Sequence, residues 1–254
     1  MQTELLPAAG LSVCAEVQGT ACNSTNSGSI ELNPSVGTEP YSIAWSTGET
    51  EARLQNLTAG SYTATITDVL GCELIETFVL DEPPVFSFTS ATNPAPCFGE
   101  LGSATVTPAG GTLPYTIAWS SGDTALGVDL AAGSYTFLLS DANGCTQAGQ
   151  LEITEPLVLE AEFTLEEGPT TGQNDGTISA IATGGTPPYT FAWSNGDSGG
   201  TITNLAPGPY TLTVTDDNGC TLVLSTILPT PPALEVSFEI TDNPCFGDCT
   251  GEIA

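Results

Sequence analysis

The sequence repeats itself with a period of 74 residues, and this repetition limits the chain to a few architectures. The segments VGTEPYSIAWSTGET (36–50), GGTLPYTIAWSSGDT (110–124) and GGTPPYTFAWSNGDS (184–198) are three versions of one motif. Their tryptophans, Trp45, Trp119 and Trp193, are 74 residues apart without slippage. A fixed period with several copies is typical of an array of small structural units rather than of one large core.

The period divides the chain of 254 residues into repeats joined by proline-containing segments. The junctions LDEPPVFSF, ITEPLVLEAEF and LPTPPALEVSF contain no flexible Gly-Ser spacer, so we expect an extended, semi-rigid string. The predicted divisions are an N-terminal segment (1–10), repeat 1 (11–84), repeat 2 (85–156), repeat 3 (157–232) and the start of a truncated repeat 4 (233–254). Because repeat 4 is truncated, we expect the chain to be a fragment of a longer protein.

Each repeat is predicted to be an antiparallel β-sandwich. Short stretches with alternating apolar and polar residues are separated by Gly, Pro, Asn and Asp, and no amphipathic helix pattern occurs. In repeat 3 we predict strands at 159–164, 176–182, 189–194, 200–205, 210–216 and 221–228. The fold class that follows is all-β, with tandem sandwich repeats of about 74 residues.

Alternation places the aromatic residues inside. In YTFAWS, Tyr189, Phe191 and Trp193 share one face of a strand, which we expect to be the buried face. A further tyrosine follows a Gly-containing turn in GSYTAT, GSYTFL and GPYTLT, a pattern that resembles the tyrosine corner of immunoglobulin-like sandwiches. The predicted core aromatic residues are Tyr41, Trp45, Tyr62, Tyr115, Trp119, Tyr135, Tyr189, Trp193 and Tyr210.

The charge balance excludes several functions. Asp and Glu together number 30, against one basic residue, Arg53, and no His. Nucleic acid and anionic membrane surfaces require clustered basic side chains, so we expect neither as a partner, and no membrane insertion of this segment. Without His or Lys the chain lacks the usual general base and Schiff-base nucleophile, so we do not expect an enzyme.

Calcium is the one cofactor that the acidic residues suggest, because carboxylates are the hard oxygen ligands that it prefers. The candidate ligands are Asp141, Asp216 and Asp217 in turns, and Glu82 and Glu155 at the junctions. The alternative is that each Asp caps its own turn while surface acids keep a long rod soluble. No Asp-x-Asp-x-Asp loop is present, and no other cofactor is expected.

Eight cysteines without Cys-x-x-Cys spacing predict disulfides and an oxidising, extracellular compartment. We predict the pairs Cys22–Cys72 and Cys97–Cys145, each within one repeat. Four predicted strands separate the members of each pair, and an even number of crossings returns the chain to the same end of the sandwich. Closing such a loop contributes about 4 kcal/mol in the chain-entropy model.

Other pairings remain open. The bonds Cys72–Cys97 and Cys220–Cys245 would need neighbouring repeats to fold back on each other. Repeat 3 has TTGQNDG where the other repeats have their first cysteine, so Cys220 is left over. It could pair with Cys249 and link repeats, or these cysteines could be free buried thiols. The sequence leaves unassigned the pairing of Cys14, Cys220, Cys245 and Cys249.

The combination GGTPPYTFAWSNGD, LAPGPYTLTVTDDNGC and a strand ending in EP or PP resembles the SprB repeat of gliding-motility adhesins and other giant surface proteins of Bacteroidota. It is also similar in outline to PKD-type immunoglobulin-like domains. The resemblance covers the chain beyond its first ten residues. It implies a long cell-surface filament or adhesin, exported by type IX secretion and displayed on the outer membrane, with no catalytic residues.

Two hypotheses for function follow. In the first, the repeats form a stalk or filament whose partners are other repeats, copies of the same chain, or cell-surface and substratum contacts. In the second, each repeat is itself a ligand-binding module for a glycan or for a calcium-bridged partner. A stalk buries its tryptophans and has contacts between repeats, whereas a glycan-binding module exposes an aromatic patch in every copy.

Overall fold

The computed structural model of the protein describes residues 10–169, 173–230 and 237. Within these residues each of the three repeats contributes six strands. In chain order the strands are β1 (Ser12–Gln18), β2 (Gly28–Ser35), β3 (Ser42–Trp45), β4 (Arg53–Leu57), β5 (Gly60–Thr67), β6 (Glu73–Leu80), β7 (Ser87–Asn93), β8 (Gly102–Ala109), β9 (Thr116–Trp119), β10 (Gly127–Leu130), β11 (Gly133–Ser140), β12 (Thr146–Ile153), β13 (Glu160–Glu167), β14 (Gly176–Thr183), β15 (Thr190–Trp193), β16 (Thr201–Leu205), β17 (Gly208–Thr215) and β18 (Thr221–Leu228). The six strands predicted for repeat 3 are all present, within three residues at each end.

Every repeat consists of two three-stranded antiparallel sheets. In repeat 1 the strand orders are β1-β2-β4 and β3-β5-β6, and the other two repeats follow the same scheme. The first, second and fourth strands thus form one layer, while the third, fifth and sixth form the other. This division corresponds to the ABE and CFG sheets of an immunoglobulin-like sandwich without its D strand, so the predicted fold class is confirmed.

The core of each repeat lies between its two sheets and is centred on the tryptophan. Trp45, Trp119 and Trp193 are 5%, 5% and 4% exposed. In repeat 2 the ring of Trp119 lies 4.9 Å from that of Phe137. On β5 the residues that face inward, Tyr62, Ala64 and Ile66, are buried in alternation with partly exposed threonines.

The predicted tyrosine corners are present in all three repeats. The hydroxyl groups of Tyr62, Tyr135 and Tyr210 donate to the carbonyl oxygens of the residues four positions earlier, at 2.9, 3.1 and 2.9 Å. A second set of bonds, which the sequence did not reveal, joins Tyr115 to the carbonyl oxygen of Gly110 and Tyr189 to that of Gly184, both at 2.6 Å. Each of these tyrosines therefore packs its ring against the core and satisfies its polar end with backbone.

Strand directions define two ends of each sandwich, which we name the leading end, where the first strand begins, and the trailing end, where the first strand finishes. In repeat 1, Gln18 at the end of β1 pairs with Ser29 near the start of β2. The short strands β3 and β4 run in the same direction. β3 begins opposite Thr67 at the end of β5, and β4 finishes opposite Gly28 at the start of β2. Together they make one crossing of the sandwich.

The cause of this arrangement is the tight turn after the tryptophan. In repeat 1 the backbone N–H of Trp45 donates to the carbonyl oxygen of Glu49 at 2.9 Å. In repeat 3 the corresponding return is one bridge long, from Ala192 to Ser198. The chain therefore turns back only briefly before it passes to the other sheet, where it continues in its original direction.

Contacts divide the chain into two compact units. The first comprises Met1–Ala95 and Leu101–Thr154, and the second comprises Pro96–Glu100 and Glu155–Ala254. The loop that follows β7 thus belongs with the repeat that comes after its own in sequence. No helix in the described part of the chain could cross a membrane.

We predict that Gly184→Ala destabilises the protein more than Gly196→Ala. Both glycines have positive φ, 68° and 91°, so both variants bear the left-handed backbone cost of about 1–2 kcal/mol. A Cβ on Gly184 would also collide with the carbonyl oxygen of Val158, whereas one on Gly196 would meet no atom within 4 Å. The collision adds about 1–3 kcal/mol.

Urea denaturation followed by tryptophan fluorescence measures both losses against the parent chain. Equal losses in the two variants would show that the close approach of Val158, just before β13, to Gly184 does not constrain the fold.

Candidate functional site

The disulfides join consecutive repeats. Cys22 is bonded to Cys145, and Cys97 to Cys220, with Cα–Cα distances of 5.8 and 5.7 Å and the same sequence separation of 123 residues. Cys72 and Cys14 are free and exposed. The predicted pairs Cys22–Cys72 and Cys97–Cys145 are therefore wrong.

The alternative pairings that used Cys97 or Cys220 are wrong as well. Cys97 is bonded to Cys220, which excludes Cys72–Cys97, Cys220–Cys245 and Cys220–Cys249. Cys245 and Cys249 themselves lie outside the described residues, as does nearly all of the predicted start of repeat 4.

The predicted pairing failed because it counted four crossings where the sandwich has three. β3 and β4 together make one crossing, so the chain between Cys22 and Cys72 crosses an odd number of times. Cys22 follows β1 at the trailing end of repeat 1, while Cys72 precedes β6 at the leading end. The two cysteines of one repeat therefore lie at opposite ends of its sandwich and are not bonded to each other.

A buried aspartate fixes the turn before the sixth strand of each repeat, and this turn carries a cysteine in all three repeats. In repeat 2 the Oδ1 atom of Asp141 accepts the backbone N–H groups of Asn143 and Cys145, both at 2.9 Å. Its Oδ2 atom accepts the N–H of Thr112, also at 2.9 Å. Asp141 is 6% exposed, and its carboxylate ties the turn after β11 to the connection between β8 and β9. Asp68 and Asp216 do the same in the other repeats.

The asparagine of the same turn reaches the partner loop. The Nδ2 atom of Asn143 donates to the carbonyl oxygen of Ala21, the residue before Cys22, at 2.9 Å. In the second unit, Asn218 donates in the same way to Pro96, the residue before Cys97, at 2.9 Å. Each disulfide is thus accompanied by a hydrogen bond between the same two segments, and the two junctions share one design.

The junction glutamates hold the loops that carry the first cysteine. The Oε2 atom of Glu82 accepts the backbone N–H of Ser24 at 2.8 Å, and Glu155 accepts that of Gly99 at 2.7 Å. Ser24 and Gly99 stand two residues after the loop cysteines, and both have positive φ, 56° and 77°. The glutamate that ends a repeat therefore orients the loop cysteine that will bond to the next one.

These contacts give the calcium candidates other roles. Both carboxylate oxygens of Asp141 and Asp216 accept backbone N–H groups, and Glu82 and Glu155 hold loops. Asp217 is exposed beside Asp216. Within the described residues, no group of three or more His, Cys, Asp or Glu side chains is arranged to hold a metal ion.

The aromatic candidates lie in or against the cores. Besides their burial, the three tryptophans donate from Nε1 to the carbonyl oxygens of Glu51, Ala125 and Gly199 at 2.8, 2.9 and 3.0 Å. Tyr62 is buried, and the remaining tyrosines are partly buried and pack against the clusters of their own repeats. They are Tyr41, Tyr115, Tyr135, Tyr189 and Tyr210.

Polar residues in the sequence mark the junctions, although the disulfide prediction did not use them. Asparagine precedes Gly-Cys in the two turns whose cysteines are bonded, while the free Cys72 follows Leu70-Gly71. Glutamate precedes proline at the end of the two repeats that have a loop cysteine, while repeat 3 has Thr230 there and no such cysteine. Each polar residue thus accompanies the cysteine that it positions.

A known family model matches part of each repeat. The sequence model of the SprB repeat matches three segments, residues 17–50, 89–124 and 171–198, one in each repeat. The resemblance drawn from the motifs is therefore confirmed. No curated protein matches the chain.

Solved structures that resemble the chain contain several immunoglobulin domains. One comprises the eight N-terminal Ig domains of Down Syndrome Cell Adhesion Molecule, with 14% identity, 88% of this chain and 37% of that chain covered, and a TM-score of 0.37. Another is Dpr2 Ig1-Ig2 in complex with DIP-Theta Ig1-Ig3, with 12% identity, 87% and 100% coverage, and a TM-score of 0.31. The immunoglobulin-like assignment rests on the strand order within each repeat.

We predict that Asp216→Asn lowers the free energy of unfolding by about 2–3 kcal/mol, because each carboxylate oxygen accepts one backbone N–H and one of these oxygens becomes an NH₂ donor. Asp217→Asn removes the same charge from the exposed neighbouring residue and should change stability by less than about 0.5 kcal/mol. Thermal and urea unfolding of both variants test the difference. Similar effects would mean that charge, and not the hydrogen bonds of Asp216, governs the turn.

We also predict a pH-dependent contribution from Asp68. The backbone N–H of Cys72, with further donation from Thr38 and Leu70, holds the pKa of this carboxyl group below its usual 3.8. Because the pKa is lower in the folded state, ionised Asp68 stabilises the fold above pH of about 4, and this contribution is lost as the pH falls through the folded pKa.

Melting temperatures of the parent chain and of Asp68→Asn, measured from pH 7 to pH 2, should therefore differ most above pH of about 4 and converge below it. Asp217→Asn serves as the charge control. Parallel curves for the parent and Asp68→Asn over the whole range would contradict the assignment.

Proposed function

We propose that this chain, which contains three SprB repeats, is a stalk or filament segment of a long bacterial cell-surface adhesin. The SprB repeats and their immunoglobulin-like fold support a cell-surface module of the adhesive, non-enzymatic kind. Disulfides support an extracellular location, because they persist in oxidising compartments. A role in gliding motility or surface attachment, export by type IX secretion, and association with the outer membrane are parts of the same proposal.

The observation that carries the stalk proposal is the disulfide at each junction. Binding a ligand within one module does not require a covalent bond to the next module. A stalk gains from such a bond, because tension along the chain passes through the junctions. The bonds Cys22–Cys145 and Cys97–Cys220 tie the trailing segment of one repeat to the leading turn of the next.

The alternative, in which each repeat binds a ligand itself, has less support. Stacking on a glycan requires exposed aromatic rings, but the three tryptophans are at most 5% exposed and their Nε1 groups are already bonded to backbone. The carboxylates that could bridge calcium hold turns and loops instead. Both sets of residues thus serve the structure of the repeats.

The stalk proposal predicts how far the chain extends under force. With both disulfides intact, the shortest covalent path from Cys22 to Cys220 follows the backbone only between Cys145 and Cys97. The two disulfides therefore prevent about 150 residues, or roughly 500 Å of contour length, from extending under a pulling force.

Single-molecule force spectroscopy of the full chain, tethered at its termini, measures this length before and after reduction. We expect the fully unfolded oxidised chain to be shorter by about 500 Å than the reduced chain. Cys14→Ser, which removes a free thiol, should leave the difference unchanged. Equal lengths in the two redox states would contradict a covalently limited stalk.

A further inference from the structure

Repeat 1 carries an unpaired copy of the turn that is bonded in the other two repeats. Cys72 precedes β6 as Cys145 precedes β12 and Cys220 precedes β18. Its backbone N–H donates to Oδ1 of Asp68 at 2.9 Å, the same contact that Cys145 and Cys220 make with their own aspartates. The backbone of Cys72 therefore has the same turn conformation as the backbones of Cys145 and Cys220, its two disulfide-bonded equivalents.

The surface around Cys72 is apolar and exposed. Val69 and Leu70, in the same turn, are 56% and 73% exposed, and Cys72 is itself exposed. At the corresponding place in repeats 2 and 3 a cysteine-bearing loop lies against the turn, held by Asn143 or Asn218. The turn of Cys72 thus repeats the geometry of an established interface, and within the described residues no disulfide joins it to another loop.

We propose that the leading end of repeat 1 is a docking site for the cysteine loop of another SprB repeat, and that Cys72 forms a disulfide with that loop. The occupant is a loop of the kind that carries Cys97, presented at the trailing end of a repeat and oriented by a junction glutamate such as Glu155. The inference rests on the proposed function in that its partner is a repeat of the same type.

The bond forms by thiol–disulfide exchange with a small disulfide such as oxidised glutathione as the oxidant. The loop thiolate attacks oxidised glutathione, which gives a mixed disulfide and one glutathione thiolate. The thiolate of Cys72 then attacks the loop sulfur of the mixed disulfide and releases a second glutathione thiolate. The two protein thiols lose two electrons, and one oxidised glutathione becomes two reduced molecules.

Exchange between full chains tests the proposal, with two donors and two matched acceptors. The donors carry Cys220→Ser, which frees Cys97, or Cys145→Ser, which frees Cys22. Each donor also carries Cys14→Ser and Cys72→Ser. One acceptor carries Cys14→Ser and so keeps Cys72 as its free cysteine. The other carries Cys72→Ser and so keeps Cys14. Every chain also carries Cys245→Ser and Cys249→Ser, and circular dichroism confirms that each is folded.

Donor and acceptor are mixed in a glutathione redox buffer, and mass spectrometry measures the disulfide-linked heterodimer. We expect about tenfold more heterodimer with the Cys72 acceptor than with the Cys14 acceptor, because docking raises the effective concentration of the paired thiols. Both cysteines are exposed, so exposure alone predicts similar yields. If the Cys72 and Cys14 acceptors gave similar heterodimer yields with each of the two donors, the proposal would be overturned.

A second acceptor variant tests the docked geometry. Leu70→Asn installs the residue that Asn143 and Asn218 occupy, so that it can donate to the carbonyl oxygen before the donor cysteine. One added hydrogen bond of ordinary strength should raise the heterodimer yield about fivefold. An unchanged yield would show that the thiols meet without the interface seen in the other repeats, and would also overturn the proposal. The force measurement on bonds within one chain is independent of this result.

Discussion

The buried aspartate in the turn between the last two strands is the contact on which the rest of each repeat depends. Asp68, Asp141 and Asp216 each accept backbone N–H groups from their own turn and from the connection between the second and third strands. That carboxylate joins the two sheets at the leading end and sets the position of the turn cysteine. Its hydrogen bonds thus hold the turns from which the disulfides of repeats 2 and 3 extend.

The disulfides between repeats offset the charge repulsion that the acidic composition causes. A net charge of −29 makes neighbouring repeats repel each other, and the proline-containing links between them are short. Each disulfide closes a loop of 123 residues, which contributes about 5 kcal/mol in the chain-entropy model, although overlapping loops do not add in full. Unlike a salt bridge, this contribution requires no basic residue. Arg53, the one such residue in the sequence, pairs with Glu31 on the neighbouring strand.

Local patterns predicted most of the fold, whereas the junctions depend on strand direction, which local patterns do not encode. Alternation in YTFAWS and the position of Tyr210 were sufficient to assign buried faces and the tyrosine corner. The pairing of Cys22 was not predictable in this way, because β3 and β4 look like two full strands in sequence but make one crossing. The structural roles of Asp141 and Glu155 were not predictable for a similar reason. Their backbone partners, Thr112 and Gly99, are distant in sequence.

The central claim is that disulfides connect consecutive repeats, and peptide mapping of the unreduced protein tests it most directly. Digestion with proteases that cleave at acidic residues, followed by mass spectrometry, identifies each linked pair of peptides. The structure predicts one pair containing Cys22 and Cys145 and another containing Cys97 and Cys220. Recovery of Cys22 linked to Cys72, and of Cys97 linked to Cys145, would contradict the account.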